Sequence, residues 1–231
     1  MTQITPEIRD RLTTAITPGL VSGLGQPEPG QMCVEAAICW SMGESHGDRP
    51  TCVAAPDRDY AVAINDSAWS SPAARAQHML PLALAQLGTA GTDRAAWEAR
   101  VIEGTIRRVL PLSLRAAAWV HPDATHQAAL VAAADRCDAD GTREAARSAY
   151  NASDASAYAY ASDASAYAYA AYASAYDYAA SAYAYAAYAA YAYAYAANAA
   201  YRADAAADDS DLVLTTAVSV ALDAYAAEGR S

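Results

Sequence analysis

From residue 142 to residue 228 the chain contains neither glycine nor proline, although all ten prolines and ten of the eleven glycines lie at or before Gly141. Gly and Pro punctuate turns in every other class of fold, so a breaker-free stretch of this length points to helix. Thr142 suits an N-cap, and Glu144 falls in the first turn, where its charge meets the helix dipole. At the far end Asp208-Asp209-Ser210-Asp211 reads as a turn and cap for a last helix, Leu212 to Glu228. Its Leu212, Val213, Val218, Val220 and Leu222 give that helix an apolar side that should dock.

Between Tyr150 and Ala207 the sequence is almost entirely Ala and Tyr with interspersed Ser and Asp, and it holds fifteen of the seventeen tyrosines. The nonapeptide ASDASAYAY occurs at 152–160 and again at 161–169, followed by the degenerate copy AAYASAYDY at 170–178. Nine residues advance a helix by about two and a half turns, so successive copies land on opposite faces. With Tyr158 at zero, Tyr169, Tyr172, Tyr176, Tyr183 and Tyr201 fall within about 40° of it, and Tyr160, Tyr167, Tyr178 and Tyr185 lie on the opposite side. Two ridges back to back call for packing partners on both sides, from the head or from other copies of the chain. A single helix from Thr142 to Ala207 would run about 99 Å, too far for a small globule to cover.

A β alternative exists, because AYAYAYA alternates with period two and could stack like silk or wind as a solenoid. Against it, Ala is depleted in strands, no β-branched residue occurs from Tyr150 to Ala207, and turn glycines are missing. A third explanation gives the tract no selected role: slippage in GC-rich repetitive DNA, in keeping with the absence of Phe and Lys.

The first 141 residues predict short helices. Pro6 opens one reaching Ile16, residues 31–42 form a buried one stopped by Gly43, and another covers Asp57–Ile64. Ser71-Pro72 opens a helix to Leu87 that bends at Pro81, and Thr92 caps one from Asp93 to Leu110. Leu112–Trp119 and Pro122–Cys137 complete the set, with GTIRRVL the one rival strand. The expected fold is all-α: a head at 1–141, an Ala/Tyr repeat helix at 142–207 and a docking helix at 208–231.

A net charge of -11 argues against nucleic-acid binding. No basic start precedes an apolar stretch in MTQITPEIRD, and no ordinary apolar run is long enough to span a membrane, so a cytoplasmic location is expected. All fifteen basic residues are Arg, which removes lysine nucleophiles and the phosphate-loop Lys. Cys33, Cys39, Cys52 and Cys137 are expected as free thiols. Cys33, Cys39, His46 and Cys52 have zinc-ligand chemistry without zinc-knuckle spacing, and Cys33 and Cys39 would stand about 120° apart on a helix. Neither a metal nor a cofactor is expected.

Chemistry, if present, centres on GLGQPEPGQMCVEAAICWSMGESHGD. Cys33 in the first turn of a helix would gain thiolate character from the dipole, with Gln31 donating to an oxyanion. His46 or His121 would act as base and Asp48 or Asp123 would orient it. This arrangement loosely resembles papain-like cysteine hydrolases, although the β-rich half that supplies their His is not visible. The competing interpretation makes Cys33 and Cys39 small core residues. Arg107, Arg108 and Arg115 could instead contact an anionic ligand or a protein partner. Asp138 and Asp140 do not begin an EF-hand loop, since the twelfth position is Ala149.

The segments PGQMCVEAAICW…HGD…TCV, INDSAWSSPAARA…LALAQLG and GTREAA, running into an Ala/Tyr/Asp-rich tail, resemble a group of uncharacterised bacterial and phage proteins. The resemblance implies the two-part layout and carries no activity. The expectation is a non-enzymatic structural or interaction protein whose partner is itself, through the tyrosine ridges. The alternative is a thiol-dependent hydrolase or transferase using Cys33.

Overall fold

A computed structural model describes residues 4–121, 123–159 and 207–230. Every regular element among them is helical, and the fold is all-α. The elements are α1 (Pro6–Ile16), α2 (Val34–Met42), α3 (Ala55–Asn65), α4 (Pro72–Ala85), α5 (Ala95–Gly104), a π-helical turn (Thr105–Val109), α6 (Leu110–Val120), α7 (Ala124–Asp140), α8 (Arg143–Ala159) and α9 (Ala207–Ala226). No helix among the described residues is long and apolar enough to cross a membrane.

Local chemistry explains most boundaries. Pro6 fills the first position of α1, and Ile8, Leu12, Ala15 and Ile16 form its one buried stripe. Helix α2 is buried nearly all round, from Val34 through Cys39, and stops at Gly43 in the left-handed conformation. Helix α4 begins behind the Ser71 cap, carries Pro81 within it, and ends at Ala85, two residues short of the expected Leu87. Asp123 caps α7 by accepting from the amides of Thr125 and His126, so this helix starts at Ala124 and runs on to Asp140.

The strand rival GTIRRVL is instead the π-turn that joins α5 to α6. Pro111 cannot donate to the carbonyl four residues back and its ring crowds that carbonyl. Widening the turn, with the Leu110 amide donating to the Thr105 carbonyl, carries the chain past it without a break. Thr92 does not cap α5; the capping position is Arg94, whose side chain turns inward.

Helices α6, α7 and α8 stack as antiparallel neighbours joined by short turns. At the α7–α8 corner Gly141 takes φ +62°, and Arg107 donates to the carbonyls of Asp138 (3.0 Å), Ala139 (2.7 Å) and Asp140 (2.9 Å). These are the orphan carbonyls that end a helix, and a cation beside them also complements the dipole. Helix α8 lays Ala145, Ala146, Ala149 and Ser153 into the core, while Arg143, Glu144, Arg147 and Asn151 face outward. Thr142 accepts from the Ala145 amide at 3.2 Å as its cap.

Helix α9 begins at Ala207, so the run Asp208-Asp209-Ser210-Asp211 is its first turn rather than a turn before it. Asp211 accepts from the backbone of Ser70 at 2.9 Å. Leu214, Ala217, Val218, Ala221 and Tyr225 enter the same core cluster as α1 to α5. Gly104 permits the approach: a Cβ there would lie 2.7 Å from Cγ1 of Val220. The hydroxyl of Tyr60 donates to the Ala217 carbonyl at 2.8 Å.

Candidate functional site

Cys33 is the N-cap of α2, and its Sγ accepts from the Ala36 amide at 3.4 Å. The thiol is buried, and burial pushes its pKa up to about 11, which outweighs the backbone hydrogen bond that favours the thiolate. The expected lowering by the helix dipole is thus reversed. His46 is exposed and its Nε2 contacts the Gly25 carbonyl at 3.1 Å, while exposed Asp48 lies 4.0 Å from Arg49. Among the described hydrogen bonds none joins Cys33 to His46 or Asp48. Asp123 is occupied as the α7 cap, and its own amide donates to Nδ1 of His121 at 3.1 Å. All four cysteines are free and buried, with Cys39 pushed up to about 12, Cys137 to about 11 and Cys52 also raised, each by burial. Among the described residues no cluster of His, Cys, Asp and Glu is placed to hold a metal ion.

An open pocket of about 480 Å³ lies where the N-termini of α3 and α5 meet, lined by Val53–Ala55, Ala90–Ala95 and Glu98. Its inner wall is the side of a buried polar network. Arg94 donates from Nε to Oδ2 of Asp57 at 2.8 Å and from Nη2 to Oδ1 at 2.9 Å, with Nη1 on Glu228 at 2.6 Å. The Tyr225 hydroxyl donates to the same Oδ1. The guanidinium also lies 4.9 Å from the Trp97 ring centre and 5.2 Å from that of Tyr225. Burial pushes the Asp57 carboxyl up, and Tyr225 and Arg94 pull it back. Burial lowers Arg94, but the Asp57 carboxylate more than offsets it and keeps the guanidinium charged. The network spends its donors and acceptors on itself and ties α3, α5 and α9 together.

The three candidate anion contacts are likewise engaged within the chain. Arg107 caps α7, Arg108 pairs with Asp223 and donates to Ser219 at 3.0 Å, and Arg115 pairs with Asp135 at 2.8 Å. Among the described residues the most exposed large apolar side chain is Trp119, 86% accessible in the last turn of α6. Because α6, α7 and α8 alternate in direction, this is the end of the stack at which α8 stops. Of the ridge tyrosines, Tyr158 lies on the described backbone of α8; Tyr160, Tyr167, Tyr169, Tyr176, Tyr178, Tyr183 and Tyr185 lie outside the described residues.

No protein-family model, curated protein or solved structure matches this chain.

Proposed function

We propose that the chain is a non-enzymatic structural or interaction protein that self-associates through its Ala/Tyr segment, with the helical head as a rigid base. The observation that supports this is α8. It begins in the head at Arg143 and remains helical to Ala159, through the first eight residues of repeat copy 152–160. Among its residues up to Ser153, the face taken up by the head is a stripe of small side chains, Ala145, Ala146, Ala149 and Ser153. A helical repeat that alternates Tyr between two faces then offers both ridges to further copies. Each aromatic pair formed adds about 0.5–1.5 kcal/mol beyond its buried area, but only when a second surface arrives. The four buried free thiols suit a reducing, cytoplasmic location.

The test is oligomer mass by light scattering on the full chain beside the variant Tyr158→Ala, Tyr169→Ala, Tyr176→Ala, Tyr183→Ala. The full chain is expected as an oligomer, and the variant as a smaller species of undiminished helicity, since Ala is the stronger helix former. A compact monomer for the full chain at micromolar concentration would overturn the proposal.

A further inference from the structure

Glu35 is the second residue of α2 and is completely buried, an unusual position for a carboxyl group without a cation. Its one hydrogen bond comes from Nε2 of Gln86, which donates to Oε1 at 2.8 Å. Gln86 ends α4 and is equally inaccessible. Each side chain then has one oxygen left over, Oε2 of Glu35 and Oε1 of Gln86, both buried and both without a donor. Two acceptors on one pair of side chains are served together by a single proton placed between them.

We propose that Glu35 is held as a neutral carboxylic acid, twin-hydrogen-bonded to the Gln86 amide, and that this pair is a pH-sensitive latch between α2 and the end of α4. In it the amide Nε2 donates to Oε1 of the acid, and the acid proton on Oε2 is donated to Oε1 of the amide. Deprotonation removes the second bond and leaves a buried charge held by the single Gln86 amide bond, which costs more than a lost neutral hydrogen bond.

The surrounding charges do not relieve that. On α3, Arg58 would favour the carboxylate, but it is paired with Asp59 at 2.7 Å, and Asp57 opposes it. Asp48, in the loop after α2, opposes it as well. The thiols of Cys33, Cys39 and Cys52 and the hydroxyl of Tyr225 on α9 also feel Glu35, and all are raised and neutral. The charged residues of α1 (Glu7, Arg9, Asp10 and Arg11) are exposed. On α4, Arg75 donates to the carbonyls of Leu20 and Ser67, and His78 stacks on Trp69. Burial accordingly raises the Glu35 carboxyl to about 8.

A folded-state value above the unfolded one means that the native chain holds an extra proton, so stability falls as pH rises from the ordinary Glu range to about 8. The experiment is infrared spectroscopy and urea unfolding of the full chain, wild type beside Glu35→Gln, from pH 5 to 9.5. The wild type should show a protonated-carboxyl carbonyl band that persists at pH 6.5, disappears around pH 8, and is missing in E35Q. The ratio of wild-type to variant folding constants should fall about tenfold per pH unit between 5.5 and 7.5 and level off above 8.5. Absence of the band at pH 6.5 would overturn the proposal, as would a pH-independent ratio. If E35Q does not fold, the wild-type band alone decides.

Discussion

The hydroxyl of Tyr225 donates to Oδ1 of Asp57, joining residues 168 positions apart inside the core. This bond, together with Arg94, fastens the last helix to the third. The Tyr225 ring lies 5.4 Å from that of Trp97, so Tyr225→Phe keeps the aromatic packing and removes only the donor. Hydrogen bonds to a charged group contribute about 1.5–3 kcal/mol, and urea unfolding of the Phe variant should show a loss in that range. A loss below about 0.5 kcal/mol would mean that Asp57 is satisfied by Arg94 alone.

Removing one member of the Asp57–Arg94 pair leaves the other charged and buried. Arg94→Met is expected to cost about 3–5 kcal/mol, while adding Asp57→Leu should return part of that loss. The two substitutions share one contact, so their effects are expected to be strongly non-additive in a double-mutant cycle. Additive effects would assign the loss to Trp97 and Tyr225 packing instead.

Gly141 and Gly43 both take positive φ after a helix, at +62° and +74°, but only at Gly141 would a Cβ meet the Arg107 guanidinium. Gly43→Ala should therefore cost only the left-handed penalty of about 1–2 kcal/mol. Gly141→Ala should cost clearly more, because Arg107 must also leave the α7 carbonyls. Thermal melts of the two variants side by side are the check, and equal losses would show that Arg107 contributes nothing there.

The four thiols predict behaviour in alkali. Their folded values lie above the ordinary Cys range near 8.5, reaching about 11 for Cys33 and Cys137 and about 12 for Cys39. Stability linked to them is complete below the unfolded value and is lost as pH climbs from about 9 towards 12. The urea midpoint should drop across that interval as thiolate absorbance appears. At neutral pH all four cysteines should alkylate slowly in the native chain and quickly in denaturant. Fast, selective labelling of Cys33 would instead favour the thiol-dependent alternative.

Local signals located most of the helices because they act within a few residues. Pro6, Gly43, the Ser71 cap and Thr142 each do in the structure what such residues do in any chain. The failures are tertiary. Pro111 looks like a break, but the π-turn absorbs it, and α9 then packs across that turn at Gly104 and Arg108. Thr92 outranks Arg94 as a cap by propensity, but Arg94 is fixed by Asp57, 37 residues away. Glu35 sits in a run of apolar residues and gives no hint that its partner is Gln86. The cysteine expectation weighed the dipole, a local effect, without the burial that only the fold supplies. The ridge tyrosines beyond Tyr158 stay an inference from periodicity.

Helix α9 closes the head, and it leaves the ribosome after every other described helix. At about 5–20 residues per second, several seconds separate the emergence of Gly141 from that of Ala207, during which the core lacks a wall. A message that slips out of frame within the repetitive tract never encodes that wall, so its product is born open and is exposed to proteolysis. A chain that loses its frame before residue 207 therefore lacks Leu214, Ala217, Val218, Ala221 and Tyr225, and leaves Tyr60 and Asp57 without their partners on α9.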